Sequence, residues 1–263
     1  MKRHDVATAL GLIAYLFMVA ACLAQEPKRV KDGLVALYPF VPAEFAVPDL
    51  EDAEEHWAMI VHGEMINPTP EEPGVTFEAD ESALRSDEGA KKIVESLSKS
   101  GQMTLEVWLK PTLLAQRGPA RIVSISAGVG NERDFTLGQE NGRYVFRLRT
   151  ATGKGQDAFQ ITQHTTPKDV VLLERHHVMV TYTLCSHCGA GTLRLFVNGK
   201  LAMERLGLGG DFSTWDFFPL LLGNEIDLNR QWRGTLYLVA LYDRALSPEE
   251  VQANFAAGVV RPK

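Results

Sequence analysis

Hydrophobic and polar residues alternate with a period of two over much of the chain, most sharply in its last third. Leu193, Leu195 and Val197 interleave with Arg194 and Phe196 and run into Asn198-Gly199, the spacing of a strand that closes in a tight hairpin turn. The doublet His176-His177 opens a second apolar run, Leu220 to Glu225 reads as a strand with its turn, and a further strand starts at Trp232. Upstream, Met103, Leu105, Val107 and Leu109 share one face of a segment ending at Pro111. Further strands are predicted at Arg121–Ala127, Arg133–Gln139, Tyr144–Thr150 and Phe159–Gln163, with Asn141-Gly142 and Thr152-Gly153 as turns between them. Gly33–Phe40 is the first predicted strand. Many strands at short spacing favour two packed antiparallel sheets over a parallel α/β sheet.

The alternation fails in two places and changes period in a third. Val41–Glu81 is rich in acids and carries Pro42, Pro48, Pro68, Pro70 and Pro73, which break any long ladder, so only short strands near Trp57–Val61 and Gly74–Phe77 are expected. Ser82–Ser100 is charged, with Ile93, Val94 and Leu97 at helical spacing, and reads as a short surface helix or a polar loop. At the end of the chain Ser247 can cap a helix, Pro248 suits its first turn, Glu250 completes a capping box and Gly258 stops it. Val251 and Phe255 would clamp that helix onto the sheets.

Several of these pieces resemble the laminin-G-like domains of the concanavalin A-like lectin and glucanase superfamily. They are the opening strand Gly33–Phe40, the strand ending Trp108-Leu109-Lys110-Pro111, the His176-His177-Val178 strand start and the segment Leu220–Glu225. The resemblance implies an all-β jelly-roll sandwich over residues 33–258 with a short C-terminal helix, followed by a tail at 259–263. It also implies that His176 and His177 start a strand rather than catalyse, and that Trp232 packs in the core. Such domains often hold Ca²⁺ at the sandwich rim, which makes Asp80, Asp134 and Asp227 the candidate oxygen ligands.

Lys2 and Arg3, the apolar run Val6–Ala21 and the small residues Ala20, Ala21 and Ala24 form the order of a secretory signal, so residues 1–24 are read as a signal segment and 25–32 as a linker. Val19–Cys22 also looks like a bacterial lipobox, in which Cys22 would carry a lipid anchor. Secretion and lipid anchoring both stay open, and both put the domain outside the cytoplasm. The formal charge of −6 and the absence of a basic stripe argue against nucleic acid as a partner.

Four clusters could carry chemistry. Glu225-Ile226-Asp227 resembles the start of the acid pair of glucanases on this fold, but the second Glu position is Asn229 or Arg230, so the two-carboxylate mechanism lacks a partner and no enzyme is expected. Cys185 and Cys188 read as a disulfide across a hairpin tip in an exported protein; a zinc site would need His187 with His164 or the His176-His177 doublet. Asp211–Phe218 reads as a loop with exposed rings, in which Trp215 could stack on a sugar while Asp216, Asn224 and Asp227 bond its hydroxyls. These four residues are the candidate binding set. The expected function is an exported, non-catalytic recognition domain that binds carbohydrate or a cell-surface protein through rim loops. Two alternatives are a structural or assembly module held at the cell surface and a divergent glycan-active hydrolase.

Overall fold

The computed structural model describes residues 28–42, 59–62, 67, 69, 73–86 and 90–259, apart from 129, 131, 157 and 186. The signal segment, Cys22, Trp57 and the tail from Val260 onward lie outside the described residues. Fourteen strands and two helices follow in chain order among them. The strands are β1 Leu34–Pro39, β2 Met59–His62, β3 Val75–Phe77, β4 Ala83–Ser86, β5 Gln102–Pro111, β6 Ala120–Ser126, β7 Arg133–Glu140, β8 Arg143–Ala151, β9 Phe159–Thr165, β10 His176–Leu184, β11 Ala190–Val197, β12 Lys200–Gly209, β13 Leu220–Leu222 and β14 Gly234–Tyr242. Helix α1 is Lys91–Ser100 and α2 is Pro248–Ala257.

Two antiparallel seven-stranded sheets stack face to face, as the period-two pattern requires. The first, sheet A, runs β1-β14-β5-β10-β11-β12, with β3 also paired to β14; the second, sheet B, runs β2-β4-β13-β6-β7-β8-β9. The core lies between them. Sheet A contributes Met103, Leu105, Val107 and Leu109 together with Val178, Val180, Leu193 and Leu195. Sheet B contributes Val123, Ile125, Phe135, Leu137, Phe146 and Leu148. Each fully buried Leu, Ile, Val or Phe contributes about 1.5–3 kcal/mol, so this layer dominates the stability of the fold.

Both helices have local causes. In α2 the Ser247 Oγ accepts from Glu250 N, the Glu250 carboxylate accepts from Ser247 N, and Pro248 opens the first turn. Its Val251 packs with Trp108, Met179 and Tyr242 in a second cluster on the outer face of sheet A, with Phe255 stacked on Trp108 at 5.8 Å. The Ser82–Ser100 segment resolves into β4 and α1, and α1 buries Ile93, Val94 and Leu97 in the main core. A left-handed Gly101 (φ 65°) ends it and leads directly into β5. Strand β12 is an addition to the expected set: it follows the Asn198-Gly199 turn (φ 49° and 74°) as the edge of sheet A. Its exposed Leu201 and Leu206 hide the alternation.

Candidate functional site

On sheet B, alternate residues that do not point into the core form an outer face that is mainly polar, with Leu221, Val145 and Ile161 among it. In register across the sheet lie Arg85, Leu221, Ser124, Thr136, Arg147 and Gln163. The row beside it places Asp134 on β7 next to Arg149 on β8, whose Nη1 stands 3.6 Å from Asp134 Oδ1. A loop from Gly223 to Trp232 folds back over the β6 side of this face. Gly223 makes this reversal with φ 82°, and Asn224 holds the loop's shape by accepting from Glu225 N and Arg230 N, each at 2.9 Å. The loop carries Glu225 onto β6, where its carboxylate accepts from Arg121 Nε at 3.0 Å and from the Ser126 hydroxyl.

Much of this face is itself buried, and it is incompletely bonded. Arg133, 6% exposed, spends Nε and Nη2 on the Gly130 carbonyl and leaves Nη1 without a partner. Asp134 Oδ2, Thr136 Oγ1 and Arg149 Nε likewise have no hydrogen-bond partner among the described residues. An orphaned buried polar group costs about 1–3 kcal/mol, and natural folds keep few of them. Here four of them share the outer side of two adjacent strands. Beside them Arg147 is half-buried and donates Nε to Gln163 Oε1 at 2.8 Å, with no partner on its other two nitrogens among the described residues.

The electrostatics are those of crowded guanidinium groups. Burial, and then the charges of Arg121 and Arg133, push the Arg147 pKa down to about 10, and Arg230 adds to the effect against Glu140. Burial also lowers Arg121, which Glu225 partly restores. Asp134 is raised to about 8 by burial, because Arg149 bonds Asp216 at 2.7 Å and stands farther from Asp134. Such a surface offers planar, bidentate donors to a carboxylate and hydroxyl partners to a sugar.

The residues expected to bind are distributed as follows. Trp215 is not an exposed ring: it is 5% exposed, stacks on Phe212 with centroids 4.2 Å apart, contacts Phe135 and donates Nε1–H to the Arg149 carbonyl at 2.8 Å. Its ring anchors the loop because the indole buries more apolar area there than a rim position offers. The exposed ring of that loop is Phe217, at 55%. Asp216, with its side chain 46% exposed, lies beside Arg149 at the edge of the sheet B face. Asn224 is buried and organises the loop, and Asp227 is exposed, accepting from Asn229 Nδ2 at 2.6 Å. The structure therefore brings Asp216, Asn224 and Asp227 to the margins of one face and puts Trp215 beneath it. Arg121, Arg133, Arg147 and Arg149 were missed as a group. Their signal was Arg at alternate positions in strands already recognised.

The other candidates take structural places. Trp232 is buried and donates to Gln139 Oε1 at 2.9 Å, and Cys185 and Cys188 form a disulfide. His176 accepts from Leu172 N and bonds the Glu174 carbonyl, while His164 bonds Thr162, so neither is turned toward the cysteines. His177 belongs to a network on the outer face of sheet A, centred on fully buried Glu106. That carboxylate bonds Arg29, His177 Nε2 at 3.1 Å, Asn254 Nδ2 at 2.8 Å and Tyr242 at 3.4 Å. Asp80 pairs with Arg233, Asp134 with Arg149 and the Asp216 N–H, and Asp227 with Asn229. Among the described residues no group of three or more His, Cys, Asp or Glu side chains could hold a metal ion, so the expected calcium ligands do not assemble. No helix among them is long and apolar enough to cross a membrane.

A family model described as the concanavalin A-like lectin/glucanases superfamily matches residues 86–252. No curated protein sequence matches the chain. Among solved structures, the chain is similar to the receptor binding domain of botulinum neurotoxin C/D mosaic serotype, with 13% identity, a TM-score of 0.58, and coverage of 88% of this chain and 53% of that one. It is also similar to the binding domain of Paraclostridial Mosquitocidal Protein 1, with 16% identity, a TM-score of 0.55, and coverage of 85% and 52%. The chain thus spans about half the length of these structures, and at such identities the likeness is one of fold.

Proposed function

The chain belongs to the laminin-G-like family of the concanavalin A-like lectin/glucanases superfamily, and from that premise we propose that it is a non-catalytic recognition module that binds glycans on the outer face of sheet B. One observation carries the reading: half-exposed Arg147, held at Nε by exposed Gln163, presents two terminal nitrogens without partners among the described residues, beside buried Arg133, Asp134, Thr136 and Arg149, which are incompletely bonded themselves. The groups of this cluster that a hydroxylated ligand and its bridging waters can reach are the terminal nitrogens of Arg147 and the amide of Gln163. The fold hosts many activities, so the site and not the fold names the function. The receptor-binding and binding domains that share this fold agree with a recognition role.

Catalysis is disfavoured by the state of the one acid that resembled a glucanase residue. Glu225 is tied to Arg121 and Ser126, and Asp227 faces solvent beside Asn229. A glycosidase needs two carboxyl groups facing each other across the scissile bond. The sequence-based expectation of export, by secretion or by a lipid on Cys22, would bring this face to extracellular glycans.

The test is a glycan array probed with the purified chain and with an Arg230→Glu variant, which inverts charge at an exposed loop position. Glycan binding that the variant weakens supports the reading. Binding that the variant leaves intact moves the site elsewhere, and an array without binding together with capture of a defined surface protein favours the protein-receptor alternative.

A further inference from the structure

We infer that the ligand recognised on the outer face of sheet B carries a carboxylate, and that Arg147 is the residue that reads it, in an inference that rests on the glycan-binding reading above. Arg147 sits on β8 between Thr136 of β7 and Gln163 of β9 in the cross-strand register. Its Nε is held by Gln163 at 2.8 Å, which fixes the plane of the guanidinium while its two terminal nitrogens remain without partners among the described residues. A guanidinium fixed by one edge presents the fork that binds a carboxylate in two parallel hydrogen bonds.

The surroundings favour an anion. Arg147 is repelled by Arg121, Arg133 and Arg230 and offset by Glu140. Glu225 already answers Arg121, at 3.0 Å. Arg133 is more than nine-tenths buried, and its Nη1 has no partner. A neutral sugar would leave that repulsion unrelieved, whereas a sugar acid offsets it and supplies two oxygen acceptors to the terminal nitrogens of Arg147. The ligand class is therefore an acidic glycan. Its carboxylate could belong to a hexuronic acid or to a nonulosonic acid, and both present the same planar acceptor.

The experiment is calorimetric titration of the purified chain with two matched pairs: oligogalacturonate against its methyl ester, and sialyllactose against lactose. Binding of an acid at least 10-fold tighter than its neutral counterpart is expected, and the pair that responds identifies the source. Arg147→Gln should lower affinity for that acid by 10-fold or more, with Arg147→Lys recovering only part of it because an ammonium cannot make the two-pronged contact. Neutral glycans bound as tightly as acids would overturn the acid preference while leaving glycan recognition standing. An absence of binding to all four would overturn both. Acid binding that Arg147→Gln leaves unchanged would overturn the role of Arg147.

Discussion

The two sheets each carry a buried carboxylate on the face turned away from the core, and the two carboxylates are treated in opposite ways. On sheet A, Glu106 bonds donors brought from far apart in the chain, Arg29 before β1, His177 of β10, Tyr242 of β14 and Asn254 of α2. Burial alone would raise its pKa, but the bonds and charges of His177 and Arg29 outweigh burial and bring it to about 2. On sheet B, Asp134 has one oxygen with no partner, and burial raises it to about 8. A carboxylate saturated by its own chain closes a surface and ties the N-terminal segment and α2 to it. Asp134 keeps one oxygen unbonded beside Arg133 and Arg149, each of which also has one nitrogen without a partner, and this is the face proposed for recognition. The contrast lies in the two carboxylates, since the sheet A face also keeps His177 Nδ1 and Trp108 Nε1 without partners.

The contrast can be broken most severely on sheet A. Glu106→Ala removes the carboxylate that Arg29 Nη1, His177 Nε2 and Asn254 Nδ2 share and leaves the Arg29 charge unpaired, so denaturant unfolding should show a loss of about 3–5 kcal/mol. Trp215→Ala should cost a similar amount, about 3–5 kcal/mol, because the ring is core and not rim; unfolding curves should report it directly. The two carboxylates should also give opposite pH signatures. Glu106 is depressed on folding, so its contribution is complete above about 4.5 and is lost as pH falls toward 2. Asp134 is raised on folding, so its contribution is complete below about 4 and is lost as pH rises to about 8. In unfolding measured at pH 5 and pH 9, Asp134→Asn should remove a decline on the order of 4 kcal/mol, about 1.4 kcal/mol for each pH unit between 5 and 8. Ser247→Ala, which deletes the cap that starts α2, should cost about 1 kcal/mol by the same assay.

How much of this could be read from the chain follows from what alternation encodes. Period two reveals a strand and its two faces, so β5, β6, β7, β8 and β10 were legible, and the capping box made α2 legible. It does not reveal which face another element will cover. Thr104, Glu106 and Trp108 alternate with core residues just as Arg147 and Arg149 do, yet α2 and the segment bearing Arg29 close over the first set and leave the second as the outer face of sheet B. Strand β12 was illegible because an edge strand tolerates Leu201 and Leu206 on its exposed side. Trp215 was misjudged because a loop ring beside Asp and Ser reads as solvent-facing, whereas Phe212 and Phe135 had already provided it an apolar seat. The reversal of the loop at Gly223, which lays Glu225 against Arg121, depends on contacts between residues about a hundred positions apart. No local pattern encodes that pairing.

The most direct measurement is made on Arg147→Gln, recording its affinity for the acidic glycan and its thermal midpoint on the same sample. Arg147 is half-buried and makes one hydrogen bond, so its midpoint should stay within about 2 °C of the parent while affinity falls at least 10-fold. A midpoint that drops by many degrees while affinity per folded molecule persists would contradict the assignment of sheet B as the recognition face.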